Sequence, residues 1–404
     1  MRRAILASSI ALLSAACAHA QSGVASATDE HMARALRVLG SSPLIDGHND
    51  LPWAIRESKT APHDVEAYDL RRPTAGHTDL ARLAAGRLGG QFWSVYIPGD
   101  TSIARQGYAK VQLEQIDIAL RVIAKYPERL EIVTTAAGFG QAFARGRIGS
   151  AIGLEGGHAI ENSLGALRAF YEMGGRYMTL THNVTLDWAD AAADSARHGG
   201  LTAFGNEVVR EMSRLGMLVD LSHVSPATMN DALDVAESPV IFSHSNARAL
   251  ADHVRNVPDA VLGRLKQNGG VVMITFVPGF TSQALIDWNR LPAAQRSGAA
   301  PRATISQIVD HIEHVKRVAG VDHVGIGGDF DGITEVVEGL EDVTAYPRLF
   351  AELSRRGWTE TDLKKLAGEN VLRAFAQAEK VSARLRASRP PSTATIEKLD
   401  GARR

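Results

Sequence analysis

This chain contains a single cysteine, Cys17, which lies in the apolar stretch at the N-terminus. Beyond that stretch, disulfides, thiolate metal ligands and cysteine nucleophiles are therefore excluded. A chain of 404 residues, 45% of them hydrophobic, must instead take its stability from a large buried core.

The sequence also lacks a charge excess, a long apolar run and a dinucleotide motif. Its 44 basic and 45 acidic residues nearly cancel, which gives no indication of nucleic acid or an anionic membrane as a partner. After the N-terminal stretch, no run approaches the roughly 20 apolar residues of a transmembrane helix. No Gly-x-Gly-x-x-Gly follows a strand-like run, so a dinucleotide site has no support.

The first 20 residues form a leader. Arg2-Arg3 is a basic start, residues 4–16 are apolar, and Ala18-His19-Ala20 is a small-x-small cleavage signal. The sequence thus predicts a signal peptide over residues 1–20 and export to the periplasm or the medium. Lipoprotein anchoring through Cys17 ranks second, because Ser14 stands where an aliphatic residue is usual. Twin-arginine export has only the bare arginine pair in its favour.

The remaining chain alternates strand-like and helical patterns. Helices are indicated at 111–124 and at 305–318, the second after a Thr304-x-x-Gln307 capping box. Such alternation predicts one (β/α)₈ TIM barrel over residues 21–386, with an open doubly wound sheet as the alternative. A polar tail, 387–404, is expected to fray. The eight strand-like runs are Pro43–Gly47, Gln91–Ile97, Ile148–Leu154, Arg176–Leu180, Met217–Leu221, Val240–Phe242, Gly270–Val277 and His323–Gly327.

Two of these runs, in the middle of the chain, each end in Ser-His. The dipeptides are Ser222-His223 and Ser243-His244, separated by an amphipathic segment that begins with Ser225-Pro226. An N-cap serine and a first-turn proline predict a helix, so the two strands are parallel and both imidazoles project from one sheet edge. Because neutral imidazole is a common transition-metal ligand, the pair indicates a metal site.

Six of the eight predicted strands deliver a ligand-type side chain to the same C-terminal rim, where barrels of this kind place their active sites. Three long connections, 56–90, 184–200 and 278–303, leave that rim as well. The strand ends that carry the ligand-type residues are Ile45–Asp50, Gly153–His158, Leu180–Asn183, Leu221–His223, Phe242–His244 and Ile326–Gly332.

Five of these residues are predicted metal ligands: His48, Asp50, Glu155, His223 and His244. Five ligands are too many for one tetrahedral zinc with an open position. Two metals that share a carboxylate and a hydroxide fit the count better, and Glu155 is the carboxylate that can bridge. Imidazole and carboxylate without thiolate favour zinc, with manganese or cobalt as alternatives.

Other polar residues at this rim are candidates for catalysis and substrate binding. Asp329 is the spare carboxylate that could carry a proton, and His182 could donate a hydrogen bond to a developing oxyanion. Arg255 could clamp a carboxylate, whereas Asp331 is expected to support its turn. Six further histidines are interpreted as structural or surface residues: His158, His198, His253, His311, His314 and His323.

Taken together and in order, these motifs resemble the membrane (renal) dipeptidase family of zinc metallopeptidases. The resemblance covers roughly residues 40–376. The motifs that carry it are Ile45–Asp50, Gly153–Gly157, Thr181-His182-Asn183, Val219–Ser225, Phe242–Arg248, Arg255–Asp259, Gly327–Gly332 and Asn370–Arg373.

The resemblance implies an amidohydrolase-type barrel with two zinc ions, one on His48 and Asp50, the other on His223 and His244, with Glu155 bridging. It also implies that Asp329 is the acid/base, that His182 and Arg255 bind substrate, and that the substrate is a dipeptide with both termini free. A homodimer is compatible with it, but disulfide-linked dimerisation and a lipid anchor do not transfer, because the mature chain has no cysteine and its tail is polar. Another binuclear-metal amide or lactam hydrolase, and a non-catalytic peptide-binding relative, are the alternatives.

Overall fold

The computed structural model describes residues 24–401, so the predicted leader with Arg2-Arg3 and Cys17 lies outside the described residues. Within them the chain forms a parallel sheet with helices between the strands. The strands are β1 Leu44–Asn49, β2 Leu88–Tyr96, β3 Leu130–Ile132, β4 Ile148–Glu155, β5 Gly175–Thr179, β6 Leu218–Asp220, β7 Ile241–Phe242, β8 Val271–Ile274 and β9 Val324–Ile326.

Eight of these strands close into a barrel. Around it the order is β2, β1, β9, β8, β7, β6, β5, β4, and β4 pairs back to β2 from Gly90↔Gly149 to Tyr96↔Glu155. Every pairing along the sheet is parallel. The predicted (β/α)₈ barrel is therefore confirmed, and the open-sheet alternative is wrong.

Helices surround the barrel, as the alternating pattern predicts. They are α1 Val24–Ser41, α2 Leu51–Arg56, α3 Leu80–Ala85, α4 Thr101–Ala104, α5 Tyr108–Lys125, α6 Ala136–Ala144, α7 Leu164–Glu172, α8 Ala203–Leu215, α9 Pro226–Val235, α10 Asp259–Asn268, α11 Pro278–Thr281, α12 Gln283–Arg290, α13 Ile305–Ala319, α14 Tyr346–Arg355, α15 Glu360–Lys364, α16 Asn370–Ser388 and α17 Ile396–Asp400.

The helix-start signals act as predicted. The Ser225 hydroxyl accepts a hydrogen bond from the Thr228 backbone N–H at 3.2 Å, which caps α9. At α13 the Gln307 side chain accepts from the Thr304 N–H at 3.0 Å, the return half of a capping box. Both caps satisfy backbone groups that a helix end leaves without a partner.

Apolar side chains from the strands fill the inside of the barrel below its C-terminal rim. Phe139 of α6 and Phe375 of α16 pack into the same cluster. Side chains alternate between the two faces of a strand. A polar residue that lies two positions after a residue of this cluster, on the same strand, therefore also points inward, closer to the rim. The strand residues of this inner cluster are Ile45, Phe92, Ala151, Tyr177, Leu218, Ile241, Val271 and Met273.

Three features differ from the sequence expectation. The short strand β3 was not predicted, and it pairs with the first residues of β4. Helix α1 was not predicted either, and it packs on α14 through its buried residues Ala35, Val38 and Leu39. The polar tail docks rather than frays, because Ile396 is buried and the Asp400 carboxylate accepts from the Phe204 N–H at the start of α8, at 3.2 Å.

Among residues 24–401, none of the helices combines the length and the apolar character needed to cross a bilayer.

Candidate active site

The predicted site residues meet at the C-terminal rim. His48 is the fifth residue of β1 and Asp50 follows that strand, Glu155 ends β4, and His223 and His244 follow β6 and β7. All five side chains are buried, with at most 7% of any of these residues exposed. The structure therefore brings together the five residues that the sequence predicted to be metal ligands.

Glu155 lies at the centre of this group. Its Oε1 is 3.0 Å from His223 Nε2 and 3.5 Å from His244 Nε2. Its Oε2 is 3.3 Å from His48 Nε2, which in turn is 3.2 Å from Asp50 Oδ2. The two carboxylate oxygens thus face different donors, the arrangement in which one carboxylate can bridge two cations.

The outer nitrogen of each histidine has a partner that fixes its proton. Asn183 Oδ1 lies 3.0 Å from His223 Nδ1, and an amide oxygen can only accept, so His223 carries its proton on Nδ1. The Tyr177 hydroxyl donates to the Gly47 carbonyl at 3.2 Å and therefore accepts from His48 Nδ1 at 3.0 Å.

The same reasoning places the His244 proton on Nδ1, beside the Ser243 hydroxyl oxygen at 2.8 Å. The inner Nε2 atoms of His223 and His244 therefore present lone pairs, and they lie 2.8 Å apart. Two lone pairs at this distance repel each other unless a cation lies beside them. The donor set of nitrogen and oxygen atoms, oriented from outside, fits a divalent metal such as zinc.

The buried carboxylates of the site stabilise a positive charge beside them. Burial disfavours a charged His48, but Tyr177 and the carboxylates of Glu155 and Asp50 outweigh it and raise the His48 pKa well above its ordinary value. For Glu155, burial is outweighed by the positive charge of His48, so its pKa lies well below the usual range. In the metal-free protein a proton on His48 balances part of the charge that a cation would balance.

His223 and His244 respond to the site in the opposite way. Burial is the main cause that lowers the pKa of each well below the ordinary histidine value, with Arg255 adding to it at His223 and the charge of His48 adding at His244. Both imidazoles are therefore neutral at neutral pH, the form that binds a metal ion.

A cavity of about 510 Å³ opens above these residues. His182 and Asp329 line it, and Arg255 lies in its wall with 3% of the residue exposed. The guanidinium Nε and Nη1 have no hydrogen-bond partner among the described residues, and the group lies over the Phe280 ring at 5.4 Å. Burial lowers the Arg255 pKa to about 10, so the group stays charged at neutral pH and can bind an anion.

Two further candidates face the same cavity. His182 Nε2 lies 3.9 Å from Glu155 Oε1, and burial lowers the His182 pKa, which leaves a neutral imidazole. Asp329 groups with His48 and Asp50, and burial, helped by the charges of Asp50 and Glu155, raises its pKa well above that of an ordinary carboxyl group. Asp329 can therefore hold a proton where an exposed aspartate could not.

The residues interpreted as structural have structural partners. Asp331 Oδ1 accepts from the His77 N–H at 2.6 Å, and the Asp331 N–H donates to His77 Nδ1 at 3.0 Å, which ties two loops together. His158 and His311 each lie within 3.0 Å of a backbone carbonyl. These contacts account for His158 and His311 without a role at the metal centre.

Sequence reasoning missed the partners of the ligands. Tyr177 contacts His48, Asn183 contacts His223 and Asp220 contacts Ser243, and Trp53 and Tyr96 form an aromatic wall of the cavity. Asn183 and Ser243 adjoin residues that were singled out, so adjacency was a usable signal for those two. Nothing in the linear sequence pairs Tyr177 with His48, 129 positions away.

Comparison with known proteins identifies the family of this chain. A family model described as membrane dipeptidase (peptidase family M19) matches residues 32–389. A metallopeptidase from Rhodobacter sphaeroides, solved with a phosphinate mimic of L-Ala-D-Ala, is 25% identical, with 83% of this chain and 99% of that chain covered and a TM-score of 0.72. The dipeptidase AC is 26% identical, with 83% and 98% covered and a TM-score of 0.72.

A probable dipeptidase, PvdM from Pseudomonas aeruginosa, shares the fold at 23% identity, with 87% of this chain and 99% of that chain covered and a TM-score of 0.75. With a match over most of its length, the chain belongs to the membrane dipeptidase family, peptidase family M19, and is a metal-dependent dipeptidase.

Proposed function

We propose that the five buried donors hold two zinc ions, one between His48 and Asp50 and one between His223 and His244, with Glu155 shared. The observation that carries this proposal is that the two oxygens of Glu155 face separate donors, 3.3 Å and 3.0 Å away. When bound, two such cations would lower the pKa of a water molecule so that it attacks at neutral pH, and would polarise the scissile carbonyl.

Arg255 sets the length of the substrate. Its buried guanidinium has free N–H groups and would bind the terminal carboxylate of a dipeptide through paired, charge-assisted hydrogen bonds. A longer peptide places an uncharged amide there, which leaves the buried charge unpaired. The solved Rhodobacter sphaeroides relative, with its mimic of L-Ala-D-Ala, supports a dipeptide as the substrate.

His182 stabilises the developing negative charge, and Asp329 transfers the proton. The neutral His182 donates a hydrogen bond to the carbonyl oxygen as negative charge develops on it. Asp329 takes a proton and returns it to the leaving amine, a role that its raised pKa supports. Its backbone N–H donates to the His48 carbonyl at 3.1 Å, which holds this turn against β1.

Arg255→Ala tests the substrate proposal. Because it removes one partner of a buried charged pair, we expect kcat/KM for a dipeptide to fall roughly 30-fold to several thousand-fold. This corresponds to a loss of about 2–5 kcal/mol of transition-state stabilisation. The same dipeptide with an amidated C-terminus should lose little. Arg264→Ala is the control, because the Arg264 side chain hydrogen-bonds Asn230 on α9 and does not line the cavity. An equal loss for both substrates would favour another amide hydrolase activity.

We also propose that residues 1–20 are removed on export and that residues 21–386 form one catalytic domain, followed by the tail 387–404. The leader pattern supports the first point, and N-terminal sequencing of the exported protein tests it. For assembly we propose a homodimer. The exposed apolar side chains of Leu250, Val254 and Leu291 support it, and the mass in solution tests it.

A further inference from the structure

Asp220 is a buried carboxylate just outside the proposed metal centre. It ends β6, has no exposed surface and is surrounded by donors. Its Oδ1 accepts from the backbone N–H groups of Ser222 at 3.1 Å and Ser243 at 2.8 Å. Its Oδ2 accepts from the hydroxyls of Thr179 at 2.5 Å and Ser243 at 2.6 Å. The carboxylate thus joins the ends of three consecutive strands.

The direction of these hydrogen bonds determines the proton position on His244. The Ser243 hydroxyl has one proton, which it donates to Asp220, so toward His244 it can only accept. His244 must then carry its proton on Nδ1, 2.8 Å from the serine oxygen. The lone pair of Nε2 is left to face Glu155 Oε1.

We propose that Asp220 is a positioning residue which, through the Ser243 hydroxyl, fixes the tautomer and ring direction of His244. The proposal rests on the proposed role of His244 as a metal ligand. Outer partners of this kind orient metal-bound histidines, and their loss typically lowers metal affinity or activity about 10- to 100-fold. A purely structural role, in which Asp220 only ties strand ends together, predicts a different pattern of variant effects.

Two substitutions separate the alternatives. Ser243→Ala and Thr179→Val each remove one hydroxyl that donates to the same oxygen of Asp220. Only Ser243→Ala also removes the acceptor of the His244 Nδ1 proton. We expect Ser243→Ala to weaken zinc binding roughly 10- to 100-fold and Thr179→Val to leave it near the wild-type value.

Asp220→Asn gives the sharpest test because it reverses the direction of the hydrogen bonds that run from residue 220 through Ser243 to His244. The amide oxygen must face the two backbone N–H groups, so the NH₂ group faces the hydroxyls of Thr179 and Ser243. Ser243 then accepts from Asn and donates to His244 Nδ1, which moves the imidazole proton to Nε2, into the metal site. We expect weaker zinc binding than in Thr179→Val, together with a changed tautomer.

The experiment has two readouts, zinc affinity by chelator competition and the His244 tautomer by ¹⁵N NMR of metal-free, histidine-labelled protein. A His244→Gln variant assigns the signal. We expect Nδ1–H in the wild type and in Thr179→Val, and Nε2–H in Asp220→Asn. Equal zinc affinity for Ser243→Ala and Thr179→Val, with Nδ1–H throughout, would overturn the proposal. A wild type that binds no zinc would instead overturn the proposed function, because the tautomer is read without metal.

Discussion

The Nε2 atoms of His223 and His244 lie 2.8 Å apart, at the ends of two strands that are neighbours in the barrel. Both rings hold their proton on the far nitrogen, toward Asn183 and Ser243. The two lone pairs therefore converge on one point, and one cation would satisfy both. His48 faces the second oxygen of Glu155, Oε2, which gives a second point for binding a cation.

His223→Ala should remove one zinc of two. The remaining imidazole and Glu155 cannot hold the ion alone, whereas His48 and Asp50 keep theirs. We expect metal analysis to give one zinc per chain, and dipeptide turnover to fall by more than about 100-fold, the upper range for loss of an outer partner alone. The control is His323→Asn, because His323 Nδ1 lies 2.8 Å from the Gly270 carbonyl, away from the rim. Two zinc ions in His223→Ala would refute this ligand assignment.

Zinc affinity should depend on the hydrogen-bond acceptor that the Asn183 side chain offers to His223, more than on the shape of that side chain. Asn183→Leu removes the partner of His223 Nδ1, so we expect zinc affinity to fall roughly 10- to 100-fold. Asn183→Asp keeps an acceptor oxygen at that position and should bind zinc nearly as tightly as the wild type. Chelator competition measures both. If the two variants lose affinity equally, Asn183 does not orient His223.

The metal-free protein should lose stability as the pH rises above about 7, where His182, His223 and His244, whose pKa values burial lowers, are neutral in both the folded and the unfolded state. Two groups whose pKa is raised in the folded protein cause this loss of stability. The raised pKa of Asp329, caused mainly by burial, means that the folded state holds a proton that the unfolded state has lost above its ordinary pKa of 3.8. The raised pKa of His48 stabilises the folded state below 6.5, and this contribution is lost as the pH rises through the raised value. Glu155, with a lowered pKa, acts with the opposite sign but only below its ordinary value of 4.5.

Thermal unfolding of metal-free protein at a series of pH values measures this effect. Asp329→Asn, which cannot ionise, should show a shallower fall in melting temperature than the wild type. Zinc should flatten the wild-type curve, because bound cations replace the proton on His48. A metal-free protein that gains stability over the same range would contradict the assigned charges.

The docked tail should contribute a small amount of stability. Asp400 accepts from the Thr202 hydroxyl at 2.7 Å and from the Phe204 N–H at 3.2 Å, at the start of α8. Because a carboxylate at a helix N-terminus is worth a fraction of a kcal/mol at the surface, Asp400→Ala should lower the melting temperature by about 1–2 °C. Lys398→Ala, on the same short helix, is the control. No difference between the two would mean that the tail is not held by this cap.

The sequence predicted the rim of this barrel better than its periphery, for a physical reason. Parallel strands all end at the same edge, so knowing that His48 or Glu155 follows an apolar run is enough to place it there. The predicted helix starts at Ser225 and Thr304 were right, because caps depend on residues three positions apart.

The residues that the sequence did not reveal depend on contacts between distant segments. The strand β3 is three residues long, and its last residue, Ile132, is 44% exposed, so its pattern is too short and too mixed to stand out. Tyr177 and Asp220 are ordinary strand residues until the barrel closes. Only the closed barrel brings the Tyr177 hydroxyl to His48 and places Asp220 beside Ser243.

Metal content measured together with turnover is the decisive test of a two-zinc centre shared through Glu155. Purified wild type should contain two zinc ions per chain and hydrolyse members of a panel of L-Xaa-L-Xaa and L-Xaa-D-Xaa dipeptides. Its activity should be lost to a chelator and restored by zinc, and Glu155→Ala should lose both metal and activity. One zinc or none, with no turnover after zinc is added, would rule out the two-zinc centre.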